Sequence, residues 1–492
     1  MAQHLGRRLV GGVLLLLLAG QAVFLISRSD PLDDLRTADR LFATGRYYEA
    51  LHRYQQLNDQ APQFAIAYAR RGLLHVVRAE PLAAGHALSR AIGLGIGGVE
   101  RDLVRLAQAE LADDAGQSMQ AAQLRAQVAD TSPLAGLRTI LTAEGQIRHA
   151  EYAAAERTFT SALGFPLPMI WRQYCFERLA LLQAAIDPAG ALATLQQASQ
   201  RPWFEHPPTL LPYAAVLLAP QPVSPQALAA ALAADPAQRP QLLGQLYLDA
   251  GFFALALQQF EQAADTAAGA LSAATFIAYT QLRADDPAGA HAALAALAER
   301  FPGDIRLHVL AALAALGAAD LEQADIHLAT AAAIEPDAAA LHAARAAWYS
   351  RQGEYVAAAA ELTYAVQRAP LAEQGAYALA LARFYVDTTL RACEAGRPAA
   401  EVATGFLPRS ATAWSTLAAA EMACADAAAA TAAARRALAV DPADPAAHYY
   451  LGRALALAGE HAAARSALIA AADAAPASVW RERAEAQITL VP

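Results

Sequence analysis

Residues 339–372, AALHAARAAWYSRQGEYVAAAAELTYAVQRAPLA, decide the fold. Ala346 and Tyr349 lie three residues apart, Gly353 breaks the run, and Ala358, Leu362 and Ala365 recur at helical spacing after Tyr355. Pro370 then closes the segment, because proline has no backbone N–H to continue a helix. Two amphipathic helices joined by a short turn are the simplest reading.

Working outward, the same register returns. The first alanine of the second helix falls at Ala256, Ala290, Ala324 and Ala358, each 34 residues after the last, and again at Ala430 and Ala464. Four residues further on stand Phe260, Leu294, Leu328, Leu362 and Leu468, with Ala434 the exception. Closing prolines stand at Pro302, Pro336, Pro370, Pro408, Pro442 and Pro476, with a four-residue insertion between the third and fourth. Toward the N-terminus Ala50, Ala84, Ala155 and Ala191 take the alanine position, with Tyr54, Leu88, Phe159 and Leu195 beside them. Small residues belong where two helices cross; the larger ones fill the gap to the next pair. One pair cannot bury its own apolar face, so neighbours must stack.

This pattern resembles the tetratricopeptide repeat. The resemblance covers residues 31–478 and implies an all-α, right-handed superhelical solenoid of antiparallel helix pairs, about thirteen in number. Composition agrees with the class: 56% of residues are hydrophobic but only 7% aromatic, and alanine, the best helix former, makes up the difference. The expected organisation is a tail at 1–8, an apolar helix at 9–26, an N-terminal arm at 31–203, a proline-rich unit at 204–236 and a C-terminal arm at 237–478. Within that last arm, 373–410 is irregular; residues 479–492 read as a capping helix.

Leu9–Ile26 carries no charge over 18 residues, long enough for one transmembrane helix. Arg7 and Arg8 precede it and Asp30, Asp33 and Asp34 follow, which favours an anchored, single-pass chain with its solenoid outside the cytoplasm. Cleavage after Ala22 is the alternative, although Val23-Phe24-Leu25-Ile26 prolongs the apolar run past that point. A lipid-attachment cysteine is excluded, since Gln21 occupies its place.

Net charge is −9, with +2 over residues 1–201 and −11 over 202–492; a surface of that sign repels phosphate, so a nucleic-acid partner is not expected. No metal-ligand spacing occurs among the twelve histidines, and no nucleophile elbow or phosphate loop is present. Gly93, Gly95, Gly97 and Gly98 read as a helix end and linker. Asp113-Asp114 and Asp285-Asp286 read as helix N-caps, and Arg70, Arg71, Arg78 and Arg90 as a solvated face balanced by Glu80. Cys175, Cys393 and Cys424 read as buried small hydrophobes, with a Cys393–Cys424 bridge conceivable in an oxidising compartment. No cofactor, metal or small-molecule substrate is expected, and the chain is read as a non-enzyme.

The expected activity is therefore a membrane-anchored protein–protein interaction scaffold, the alternatives being a structural subunit of a larger membrane complex and, ranked last, an enzyme with its site in an irregular unit such as 204–236 or 373–410. In the repeat type it resembles, first helices line the concave face. Along the N-terminal arm those positions are apolar: Leu32, Leu35, Phe42, Ile66, Leu73, Val76 and Val77. They turn polar at Gln238, Gln241, Gln245 and Asp249, then Ser272, Thr275, Tyr279 and Arg283, which are the candidate partner-binding residues. The positions at which some family members hold a carboxylate are here Leu35, Asp39, Ala69, Leu73, Val309, Leu313, Ala343 and Ala347, none of which could do so.

Overall fold

A computed structural model describes residues 30–199, 210–218, 224–264 and 270–492. The transmembrane helix expected at Leu9–Ile26 lies outside these, as do parts of the proline-rich unit; among the described residues no helix is long and apolar enough to cross a membrane. The described chain is helical throughout: thirteen successive helix pairs, from Pro31–Ala43 with Tyr47–Gln60 to Pro445–Leu457 with His461–Ala474, and then a single helix Val479–Ile488.

The periodic small residues are where the helices cross. Twelve positions before the ladder alanines stands Gly or Ala, as at Ala38, Gly72, Ala143, Gly244, Ala312, Ala346 and Gly452, with Leu179 before Ala191 the exception. A Cβ on Gly244 would lie 2.6 Å from the Phe260 ring, and one on Gly452 2.6 Å from Leu468. Enlarging any of these positions costs about 1–3 kcal/mol through forced displacement of the facing side chain. Ala256, Ala290, Ala324, Ala358, Ala430 and Ala464 are all fully buried. The turn between the two helices of a pair also repeats. One residue adopts the left-handed conformation at Gly251, Asp285, Ala319 and Gly353, again 34 apart, and at Ala425 and Gly459. The aspartates that follow several of these turns cap the second helix: Asp286 accepts from Gly289 N–H at 2.8 Å and Asp426 from Ala429 N–H at 2.9 Å.

Asp113 departs from the capping expectation. It ends the helix Gly98–Asp114 and, with Glu110, receives Arg125 and Arg148, the latter at 2.9 Å to Glu110 and 3.0 Å to Asp113. The arginine group departs too. Arg70 is buried and donates to Glu100 at 2.6 Å, and Arg78 is only 5% exposed and engaged on both faces. Neither belongs to a solvated face. Two cysteines also differ from the expected buried hydrophobes: Cys393 and Cys424 form a disulfide, while Cys175 is buried and free.

The helix after the last pair does more than cap it. Val479–Ile488 and His461–Ala474 meet the first two pairs of the chain. Arg78 donates to both carboxylate oxygens of Glu485, at 2.6 and 2.9 Å, and Arg481 donates to Glu80. The backbone N–H of Tyr48 donates to Asp473 at 2.8 Å, and the Tyr48 ring packs beside the cluster built on Tyr449 and Leu468. The solenoid closes on itself through this seam.

Closure is pH-sensitive in a direction that can be stated. Burial, against the hydrogen bond from Tyr48 and beside Glu49, pushes the Asp473 carboxyl from 3.8 up to about 6. The closed seam therefore holds a proton that an opened one releases, and its stability falls as pH rises from about 4 to about 6, then levels. Burial pushes Glu80 upward too, but hydrogen bonds from Arg78 and His75 outweigh it, so its contribution is lost only below its ordinary range. We expect hydrogen exchange of the amides in 47–60 to quicken between pH 4.5 and 6.5 relative to the chain interior, and Asp473→Asn to abolish that dependence. Arg78→Glu should open the seam at every pH, and adding Glu485→Arg should close it again.

Candidate functional site

First helices of neighbouring pairs pack on one another, as Leu371–Thr388 does on Ala411–Ala423 and that helix on Pro445–Leu457, whereas second helices of regular neighbouring pairs do not. First helices therefore form the inner face and second helices the outer one. Any extended partner lying along the inside meets first-helix side chains.

Over the first two pairs of the N-terminal arm that face is partly covered. The short helix Leu211–Ala215, from the proline-rich unit, brings Tyr213 against Phe42, with ring centroids 4.5 Å apart, and its hydroxyl 3.1 Å from that of Tyr54. Arg70 lies 4.1 Å above the same ring. Leu32 is exposed and Ile66, Val76 and Val77 are half-buried, whereas Leu35, Phe42 and Leu73 are buried, not open groove lining. Their apolar character matches an internal occupant.

The residues proposed from sequence fall at the middle of the array. Gln238 and Asp249 flank or end the helix Arg239–Asp249 and are exposed; Gln245 is half-buried. Gln241 donates to the Ser272 hydroxyl at 2.8 Å, tying its helix to the next first helix, Ala270–Arg283. On that helix Thr275 and Tyr279 are exposed, and Arg283 donates to the Tyr279 hydroxyl at 3.4 Å with its guanidinium 5.9 Å from the ring centre. The structure thus joins Gln241 with Ser272 and Tyr279 with Arg283.

Two adjoining cavities open on the C-terminal inner face. One, about 420 Å³, is lined by Arg383, Asp387, Thr412, Ser415, Thr416, Asp444, Tyr450, Trp480 and Arg483 among others. The second, about 490 Å³, is lined by Arg391, Cys393, Glu394, Met422 and Arg453 among others; Val386, Ala419 and Tyr450 belong to both. The ring of Tyr450 meets that of Trp480 edge-on at 5.8 Å, and Arg483 lies 5.0 Å over Trp480. The disulfide fixes the wall of the second cavity, joining the segment Ala392–Gly396 to the residue after the helix Ala411–Ala423. None of these residues stands among the partner-binding candidates of the sequence, although a signal existed: Thr412, Ala446 and Trp480 occupy one position of the 34-residue ladder, and Ser415, Tyr449 and Arg483 another. Comparing such positions unit by unit exposes where alanine gives way to functional groups.

Elsewhere, three histidines far apart in sequence converge. His291 Nε2 lies 3.4 Å from His327 Nε2, and the His308 ring is 5.8 Å from that of His327. Burial, and then the two neighbouring rings, lower the pKa of His327. No three His, Cys, Asp or Glu side chains among the described residues are arranged so as to hold a metal ion.

The fold is tetratricopeptide-like. The 34-residue period, the Gly or Ala at all but one of the crossings paired with the ladder alanines, and the first helices on the inner face carry that description. No family model matches the sequence, and no curated protein does either. Solved structures that overlap it include the Cut9–Hcn1 hetero-tetramer of the APC/C, at 14% identity and a TM-score of 0.38 over 96% of this chain and 91% of that one. PilW, described as a type IV pilus biogenesis factor, overlaps at 14% identity and 0.37 over 43% of this chain and 97% of its own. YrrB, described as a TPR protein with an unusual peptide-binding site, does so at 17% and 0.32 over 39% of this chain and 97% of its own. At such scores the overlap carries no information about function.

Proposed function

We propose that the protein is a protein–protein interaction scaffold, non-enzymatic, held at a membrane by residues 9–26 with its solenoid outside the cytoplasm. The observation that supports this best is the contrast between the two inner faces: Tyr213 fills the N-terminal one at its first two pairs, whereas the C-terminal one opens into two adjoining cavities lined by arginines and aromatic rings. The Gln241–Ser272 and Tyr279–Arg283 pairs extend the polar inner face toward the middle of the array and form a second contact point for the same partner. A Cys393–Cys424 disulfide is at home in an oxidising compartment, which supports the extracytoplasmic placement.

The full chain, purified in mild detergent, should bring a protein partner with it. Replacing both Tyr279 and Arg283 by alanine should weaken that partner about tenfold, roughly 1.4 kcal/mol, without altering thermal unfolding. Retention at unchanged affinity would remove the middle units from the contact. Protease added to intact spheroplasts should digest the solenoid, and full protection would place it in the cytoplasm instead.

A further inference from the structure

The scaffold reading says that the C-terminal inner face meets a partner; its side chains say what kind. Residues 202–492 carry a net charge of −11, yet the two cavities gather arginines. Arg391 is paired with Glu394 at 3.0 Å, and Asp444 is committed to capping its helix through the N–H groups of Ala446 and Ala447. Among the described residues Arg383, Arg453 and Arg483 have no carboxylate partner, and of the acids in the lining Asp387 remains to set against them. Two of the three are held over rings, Arg483 over Trp480 at 5.0 Å and Arg453 over Tyr449 at 5.8 Å, which leaves their N–H edges free to donate.

Between these charges the floor changes character. Val386, Ala419 and Tyr450 form the shared strip of the two cavities. Ser415 and Thr416 donate to the Thr412 carbonyl at 3.1 and 2.7 Å, so each hydroxyl oxygen keeps lone pairs for an incoming N–H. Cationic forks flank an apolar strip, with hydroxyl acceptors at its edge. We infer that this groove binds an extended, acidic protein segment with an apolar side chain set between its carboxylates. Guanidinium forks match carboxylates two bonds at a time, and rings that hold them in place lower the entropic cost of pairing. The surrounding acidic surface does not cancel this, because screening at physiological salt confines each charge's influence to about 8 Å.

The test uses the full chain in mild detergent and calorimetry with an acetylated, amidated octapeptide of glutamate and leucine. A matched peptide with glutamine for glutamate and free inorganic phosphate serve as comparison probes. The glutamate peptide should bind at least tenfold more tightly than the glutamine one and weaken as salt is raised. Exposed Arg383 and Arg483, changed together by Arg383→Gln and Arg483→Gln, should lose at least tenfold in affinity with unaltered thermal unfolding. Equal binding of the two peptides, undiminished binding by the double variant, or displacement of the peptide by phosphate at matched charge each overturns the inference. A native partner that copurifies equally with the double variant sinks this inference and spares the scaffold reading, whereas absence of any partner from every version sinks the scaffold reading.

Discussion

Replacing Arg178 by methionine should destabilise the middle of the array by about 3–5 kcal/mol, the range for breaking a buried ion pair from one side. Arg178 is 3% exposed and uses its whole guanidinium. It donates to Glu144 at 2.9 and 3.1 Å, to the Tyr174 hydroxyl at 3.0 Å and to the Ala250 carbonyl at 2.7 Å. Three units are thereby tied together: the helices Ala135–Arg148 and Met169–Ala184, and the turn after Arg239–Asp249. Burial works against the charge, but Glu144 and Tyr174 outweigh it, and the arginine pKa is raised. Methionine fills similar volume yet removes the guanidinium from the buried Glu144 carboxylate, which keeps the Tyr174 hydroxyl at 2.7 Å. Adding Glu144→Gln should recover part of the loss, because removing both charges costs less than removing one. Repeat arrays do not unfold all-or-none, so the measurement is hydrogen-exchange protection across residues 135–184 under mild denaturant. Undiminished protection in Arg178→Met would show that the network contributes little.

Loss of the disulfide should be nearly as costly. With Cys424 31 positions after Cys393, the chain-entropy treatment gives about 3–4 kcal/mol for the constraint. The bridge acts where the repeat is least regular: Thr389 and Arg391 both adopt left-handed backbone conformations after the helix Leu371–Thr388. Without it only the backbone, by way of the helix Arg397–Phe406, joins this segment covalently to the following unit. Cys424→Ser should lower the unfolding midpoint of the C-terminal arm, and a reductant should lower the wild type by the same amount while leaving the variant unmoved. Cys175 provides an internal control, since burial pushes its thiol up to about 12 and keeps it from exchanging. A reductant effect of equal size in both proteins would assign the loss elsewhere.

What could be read in advance divides along the range of the interactions. Crossing positions such as Ala324 and Ala358 depend on neighbours within one pair, and a fixed period of 34 displays them directly. Tyr213 against Phe42, or Arg78 with Glu485 some 407 residues away, depends on how far the whole array coils, which no local period encodes. The same gap explains why Arg70 and Arg78 resemble a solvated face in the sequence: their partners Glu100 and Glu485 lie in other units. The candidate residues Gln241 and Tyr279 were visible as departures from alanine. Arg383 and Arg483 were equally visible as residues but not as a pair, because Arg383 stands in the later part of its helix, Leu371–Thr388, and Arg483 in the earlier part of its own, Val479–Ile488, and so at different positions of the repeat.

The seam has a thermodynamic consequence of its own. A linear repeat array frays from its ends, since a terminal unit has one interface to lose and an interior unit has two. Here Tyr48, Arg78 and Glu80 give the last helices a second neighbour, and those helices return the favour to the first two pairs. Every unit then sits between two others, as in a ring, although the backbone is open. Fraying loses its starting points, and the cheapest opening moves from the termini to whichever interior interface is weakest.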